Sequence, residues 1–243
     1  MAPRTIDVTA AVLAGGLGTR LQSVVADRPK VVAEVGGRPH LGYLLDQLRR
    51  FGLREVVLLA GHLADRLRAT LGDEYDGMRL HYSVEAEPLG TGGAVRHALP
   101  LLQAPRVLLL NGDSYCDFDL PGLFQHHVDH RRAATLSVVQ VADAGRYGRV
   151  RMTADDQVMR FQEKQAHAGP GWVNAGVYLL NRPVIAALPP GPRSLEREVL
   201  PDLVRAGQVR GHRVSGAFLD IGTPEAYAGA AAFFARLACP VAA

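Results

Sequence analysis

A short apolar run, Val8 to Leu13, empties directly into Leu13-Ala14-Gly15-Gly16-Leu17-Gly18-Thr19-Arg20-Leu21. The run reads as a buried first strand. Three glycines behind it let the backbone approach a bulky anion, because no Cβ stands in the way. Backbone N–H groups in such a turn can cradle phosphate oxygens. Arg20 and Lys30 add two positive charges on the exit path. A strand, a glycine turn and two cations together point to a nucleoside triphosphate. Spacing excludes two familiar phosphate loops. A Walker A loop needs Lys-Ser or Lys-Thr after its glycines, and none follows. A Rossmann fingerprint needs a third glycine where Leu21 stands, and an acidic residue after the second strand, where Gly61-His62 stands.

Strands and helices alternate behind this turn. His40 to Phe51 reads as a helix with Leu41, Leu44, Leu45, Leu48 and Phe51 on one face and Gly52 at its end. Glu55 to Ala60 reads as a strand, Ala64 to Leu71 as a helix, Arg79 to Ser83 as a strand and Gly92 to Leu99 as a helix. Val107 to Leu110 is a strand apolar enough to be buried on both faces. The order predicts an α/β fold, a Rossmann-like three-layer arrangement around a mostly parallel sheet. In the second half, Thr135 to Val141, Gly148 to Met152, Val158 to Glu163 and Val173 to Leu180 read as strands with little helix between them. They predict a small mixed β subdomain packed beside the main sheet. Ser194 to Arg205 reads as a helix, Pro189-Pro190-Gly191-Pro192 as a surface loop, and Gln208 to Val214 as a strand. Thr223-Pro224-Glu225 starts a final helix reaching Leu237.

The chain has 243 residues, 48% of them hydrophobic, which is enough for a single α/β domain over 1–243. Its formal charge of +3 is scattered, with no basic run interleaved with aromatics, so nucleic acid is not an expected partner. Cys116 and Cys239 form no pair in sequence, which fits a reducing cytoplasm. No signal pattern is seen and no apolar run reaches ~18 residues, so no membrane partner is expected.

The glycine turn and Pro29-Lys30 resemble the signature of the sugar-1-phosphate nucleotidylyltransferases. Six further blocks follow in that family's order: Glu87 to Ala94, Asn111-Gly112-Asp113, Arg146-Tyr147-Gly148, Phe161 to Lys164, Asn174-Ala175-Gly176 and Asp220 to Glu225. The resemblance spans residues 6 to 237. Leu21 to Val25 and the Glu87-to-Ala94 run are most similar to the D-glycero-α-D-manno-heptose 1-phosphate guanylyltransferase branch. Many relatives continue into a C-terminal β-helix of hexapeptide repeats, and no such repeat occurs here.

The resemblance implies a nucleotide-diphospho-sugar transferase fold. Residues 6–130 would serve mainly the nucleotide and 131–220 mainly the sugar phosphate. It implies Mg²⁺-dependent transfer of a nucleotidyl group to a sugar 1-phosphate with loss of pyrophosphate, by a protein compatible with a homo-oligomer. Asp113 and Asp220, each at the end of a short apolar strand, match the family's metal positions, and magnesium needs only one or two carboxylates. Arg20 matches the group that holds the β and γ phosphates, and Lys30 the one beside the α-phosphate. Pro29-Lys30-Val31 departs from the usual Pro-Lys-Pro, which loosens the backbone and keeps the charge. Leu13, Gly15, Gly16, Gly18 and Thr19 would line the nucleotide, with Pro88 beside the base and Gly90 giving the base or ribose room. Glu85 matches the position that reads the base edge. A carboxylate only accepts, and guanine offers two adjacent donors, N1–H and N2–H, so Glu85 favours GTP. Glu163 and Asn174 match sugar-hydroxyl ligands, Gly148 and Gly176 supply close backbone, and Lys164 matches the grip on the sugar phosphate.

The alternatives keep the reaction and change the substrates: mannose or another hexose 1-phosphate, with GTP, UTP or CTP. A glycosyltransferase would use Asp117-Phe118-Asp119 as a D-x-D motif and leave the Gly-Thr-Arg turn unexplained. A non-catalytic sugar-nucleotide sensor would be expected to lack Arg20, Lys30, Asp113 or Asp220. His126 and His130 share a helix face, but no acidic residue stands at metalloprotease spacing, so they read as a solvated face.

Overall fold

The computed structural model describes residues 6–16, 29–162 and 169–238. The first half is a parallel βα layout. After β1 (Thr9–Leu13) come a 3₁₀ turn, Lys30–Val32, and the short hairpin β2 (Glu34–Val35) and β3 (Arg38–Pro39). They are followed by α1 (His40–Arg50), β4 (Glu55–Ala60), α2 (Ala64–Leu71), β5 (Glu74–Tyr75), β6 (Met78–Val84), α3 (Gly90–His97) and β7 (Arg106–Asn111). The helix α1 forms because Leu41, Leu44, Leu45 and Leu48 recur at helical spacing, and all four are fully buried. It stops at Gly52, whose φ of +82° a side chain would resist.

β1 lies between β4 and β7, all parallel, and β6 lies beyond β4. Their carboxyl ends are level: Leu13 stands beside Leu59 on one side and Asn111 on the other, and Ala60 beside Val84. The residues just past each strand therefore share one edge of the sheet.

The second half continues through β8 (Ser114–Cys116), α4 (Leu120–His130), β9 (Ala134–Val141), β10 (Arg149–Met152), β11 (Val158–Gln162), β12 (Gly171–Asn181), α5 (Arg182–Ala186) and α6 (Leu200–Arg205). β13 (Val209–Val214), β14 (Phe218–Asp220) and α7 (Pro224–Ala238) complete it. Its strands are not packed beside the main sheet as expected. The long β12 pairs antiparallel with β7 over Val177 to Asn181, and also with β9 and β10, so all join one ten-stranded sheet among the described residues. Helices cover both faces. α1, α2, α4 and α7 bury Leu44, Leu67, Phe124 and Phe234 on one side, while α3, α5 and α6 bury Val95, Ile185 and Leu200 on the other. Three layers result.

Two of the boundaries that differ from expectation bear on the cavity. α3 begins at Gly90, and the expected helix over Ser194 to Arg205 opens as a π-helical turn, Leu195–Val199. The Val199 N–H reaches back to the Ser194 carbonyl at 3.3 Å. That wider turn swings Glu196 toward α3, as π turns often do at functional positions.

Candidate active site

The level strand ends open onto a cavity of about 550 Å³. Leu13, Gly15 and Gly16 line it after β1, Gly61 after β4, Glu85 and Pro88 after β6, Gly90 and Thr91 on α3, and Asn111, Gly112 and Asp113 after β7. Tight backbone packing makes the glycines necessary. A Cβ on Gly15 would stand 2.7 Å from the Gly61 nitrogen, and one on Gly112 2.5 Å from the Leu13 carbonyl oxygen.

Lys30 closes one end of the cavity. Its Nζ donates to Asp113 Oδ2 at 2.5 Å. Burial alone would push the Asp113 carboxyl up. The Lys30 ammonium outweighs it and holds the carboxyl below the ordinary carboxylate value. Asp220 arrives from the far end of the chain through a two-stranded ribbon in which β14 pairs antiparallel with β8, Asp220 opposite Ser114. The Ile221 N–H donates to the Asp113 carbonyl at 3.0 Å and extends the pairing. Asp220 Oδ1 accepts from the Gly222 N–H at 2.6 Å, and a Cβ on Gly222 would stand 3.6 Å from Lys30 Nζ. The Lys30 ammonium and the Asp113 carboxylate thus line the cavity, and the ribbon brings Asp220 alongside, opposite the residue after Asp113. An all-oxygen pair such as Asp113 and Asp220, left to be completed by phosphate oxygens and water, fits magnesium.

Glu85 lies at the other end. Its Oε1 would stand 2.7 Å from a Cβ on Gly61, so a side chain there would displace the Glu85 carboxylate. Its Oε2 accepts the Leu89 N–H at 3.3 Å. Burial pushes its carboxyl pKa up, against the pull of that hydrogen bond. Gly90 lines the cavity and also packs against the chain itself. Its φ is +68°, and a Cβ there would stand 2.7 Å from the Arg193 carbonyl oxygen.

Gly148, Asn174 and Gly176 lie behind Asn111, outside the cavity lining. The Gly148 carbonyl accepts the Asn174 N–H at 2.9 Å. Gly176, at φ +73°, sits where the β9–β12 register shifts, and a Cβ on it would meet the Asn111 side chain at 3.0 Å. Asn174 Nδ2 donates to the Tyr178 hydroxyl at 2.6 Å, and its Oδ1 accepts from the Gly176 N–H at 3.1 Å. Gly18, Thr19, Arg20, Glu163 and Lys164 lie outside the described residues.

The histidines of α4 are not a solvated row. His127 is buried between Thr135, 2.9 Å from its Nδ1, and Asn181, 3.0 Å from its Nε2. His126 is half-buried and stacks on His130 with ring centroids 4.2 Å apart, with His212 at 5.3 Å. Among the described residues no group of three or more His, Cys, Asp or Glu is arranged to hold a metal ion. In the D-x-D stretch, Asp119 caps α4 by accepting from the Gly122 N–H at 3.1 Å. The stretch Pro189 to Pro192 is the expected surface loop, with its three prolines exposed, and its Gly191 carbonyl rests on α3, where a Cβ on Gly93 would stand 2.6 Å from that oxygen.

Three residues that sequence reasoning passed over bind this region together: Thr91, Tyr178 and Glu196. Thr91 was the one legible from sequence, as a lone hydroxyl among three glycines. Nothing local marks Tyr178 in an apolar strand or Glu196 in a charged helix.

A nucleotidyl transferase family model matches residues 9–236. The chain is 34% identical to the D-glycero-alpha-D-manno-heptose 1-phosphate guanylyltransferase of Aneurinibacillus thermoaerophilus, over 90% of this chain and 94% of that one. It is 33% identical to a mannose-1-phosphate guanylyltransferase of Mycobacterium tuberculosis, over 97% of this chain and 67% of that one. Crystalline HddC from Yersinia pseudotuberculosis complexed with GMP-PN superposes at a TM-score of 0.84 with 33% identity, covering 93% of this chain and 99% of that one.

Proposed function

The chain belongs to the nucleotidyl transferase family, and from that membership we propose that it transfers a guanylyl group from GTP to D-glycero-α-D-manno-heptose 1-phosphate. A phosphate oxygen of the sugar 1-phosphate bonds to the α-phosphorus of GTP, the bond to the β-phosphate oxygen breaks, and pyrophosphate leaves. The observation that carries this reading is the Lys30–Asp113 pair, with Asp220 brought alongside by the β8–β14 ribbon, at one end of a cavity that has Glu85 at the other. A charged reaction of this type needs chiefly positioning and cationic stabilisation.

Each residue has a role in this reading. Lys30, aimed by Asp113, meets the α-phosphate. Asp113 and Asp220 hold Mg²⁺, which when bound supplies positive charge to the phosphate oxygens. Glu85 accepts from guanine N1–H and N2–H. The turn at Gly15 and Gly16 offers backbone N–H groups to phosphate, and Arg20 takes the leaving pyrophosphate. Glu163, Asn174 and Lys164 receive the acceptor, against the close backbone of Gly148 and Gly176. The work takes place in the cytoplasm. Among the described residues no helix is long and apolar enough to cross a membrane, and Cys116 is a free, buried thiol. The relatives named above support both the base and the heptose. The mycobacterial one favours a second reading with mannose 1-phosphate as acceptor.

A pyrophosphate-release assay with Mg²⁺, four nucleoside triphosphates and a panel of sugar 1-phosphates tests this. Release is expected with GTP and the heptose phosphate. Faster release with mannose 1-phosphate replaces the acceptor, faster release with UTP or CTP overturns the role of Glu85, and no release with any pair overturns the reaction.

A further inference from the structure

The segment 191–196 rests on the first turn of α3 at backbone contact distance. The Arg193 carbonyl accepts from the Gly92 and Gly93 N–H groups at 2.9 and 3.1 Å, so these early donors of the helix are used by the protein itself. Gly90 and Gly93 leave the room that this approach needs. Nothing in the nucleotide cavity or among the acceptor residues, taken separately, calls for so tight a seam.

Glu196 stands at its centre. Its Oε2 accepts from the Thr91 hydroxyl at 2.6 Å and the Ser194 hydroxyl at 3.3 Å, and its Oε1 accepts from the Tyr178 hydroxyl at 3.4 Å. Thr91 in turn accepts the Leu195 N–H at 2.8 Å. Tyr178 is fully buried, and its oxygen accepts from Asn174 Nδ2 at 2.6 Å. A hydroxyl carries one proton, and a carboxylate only accepts. Tyr178 therefore directs its proton to Glu196 and its lone pairs to Asn174 and to Asn111, whose side chain also hydrogen-bonds it. The polarity of the Asn174 amide follows, with NH₂ toward Tyr178 and oxygen toward the Gly176 N–H.

We propose that Glu196 is a positioning residue for the acceptor: through Tyr178 it sets the amide of Asn174, and through Thr91 it ties that amide to the wall of the nucleotide cavity. This rests on the reading that Asn174 meets a hydroxyl of the sugar. Glu196 is not among the residues that line the cavity, while Thr91 is. One carboxylate thus fixes the separation between the nucleotide wall and the acceptor ligand, which a transfer between two bound substrates requires.

Glu196→Gln is the test. The glutamine keeps its carbonyl toward Thr91 and presents NH₂ to Tyr178. The tyrosine proton then points at the Asn174 NH₂, donor facing donor, and the asparagine amide loses its fixed position, because turning over would set its NH₂ against the Gly176 N–H. The KM for the sugar 1-phosphate is expected to rise by about 3- to 10-fold, the size of losing one neutral hydrogen bond. The KM for the nucleotide should stay within about twofold, since Glu85 and the cavity wall are untouched. Tyr178→Phe should match it, and the double variant should be no worse than either single one. Wild-type turnover is measured first and tests the assigned reaction alone, with the variants then compared on the pair it uses fastest. If wild type turns over no pair, the assigned reaction fails, and calorimetric affinities for mannose 1-phosphate and GTP give the same comparison. An unchanged sugar-phosphate KM or affinity overturns the positioning role with the reaction intact. So does a parallel loss for both substrates, or additive losses in the double variant. Should Tyr178→Phe fail to fold, Thr91→Val interrupts the same chain of hydrogen bonds from the other end.

Discussion

The two halves of the molecule build their site in opposite ways. On the nucleotide side, Gly15, Gly61, Glu85 and Asp113 sit just past four parallel strands whose ends are level, and their positions follow from the backbone ladder. On the acceptor side, Asn174 and Gly176 sit inside the antiparallel strand β12, at a register shift, and side chains hold them: Tyr178, Glu196 and Thr91. A backbone-built site tolerates changes around it and depends on the few charges it presents. A site built from side-chain hydrogen bonds depends on residues that never touch the ligand.

The largest break in this contrast is expected from Asp113→Asn. It removes a carboxylate proposed to hold metal and leaves Lys30 without its charged partner. Turnover should fall by about 10³-fold or more, while circular dichroism stays unchanged because β7 and the ribbon are intact. Glu85→Gln comes next. Preference for GTP over UTP should drop by about 10- to 100-fold, the range for losing a charged hydrogen-bond acceptor, read from kcat/KM for each nucleotide. Gly90→Ala sharpens the comparison, because it alters the nucleotide side and should be felt on the acceptor side. Forcing a side chain to φ +68° against the Arg193 carbonyl should cost about 2 kcal/mol in urea unfolding. It should also raise the sugar-phosphate KM more than that of the nucleotide.

The smallest effect concerns acid, and one histidine in each half carries it. Burial pushes His40 down to about 4, and burial with the neighbouring His130 and His212 pushes His126 down to about 4. Both favour the neutral ring in the fold, so the unfolded chain binds protons that the folded one does not. Their contribution is complete above the ordinary histidine value of 6.5 and is lost as pH falls from there toward 4. Neither ring nitrogen of His40 meets a hydrogen-bond partner among the described residues. His40→Leu should therefore raise the urea midpoint, and more at pH 5 than at pH 8. An equal gain at both would mean that titration of His40 plays no part.

The same contrast governs what could be read in advance. Glu55–Ala60 and Ala64–Leu71 coincide with their predicted bounds, because each is a local pattern closed by glycine. The nucleotide side was legible for a related reason: strand-then-glycine and strand-then-Asp are local signals of a sheet edge. The acceptor side was not. That β12 reaches across to β7 depends on pairing between distant segments, and alternation of apolar residues does not name the partner strand. Gly90 was legible as a place of close approach, while the approach of Arg193 to Gly90, Gly92 and Gly93 depends on a segment a hundred residues on. The π turn hid inside a good helical pattern because the partners of Glu196, Thr91 and Tyr178, lie in other parts of the chain.

The ribbon of β8 and β14 sets the order in which this protein becomes able to work. Asp113 and Asp220 are almost half the chain apart, and only that pairing brings them together. A ribosome must release most of the chain before Asp220 emerges. By then the strands β1, β4, β6 and β7 are complete, and such units can fold as they are made. A nascent chain can thus shape a nucleotide-sized cavity while holding one carboxylate of the pair. On the proposed role of Asp220, unfinished copies are left idle and the chemistry begins with the last strand to be made.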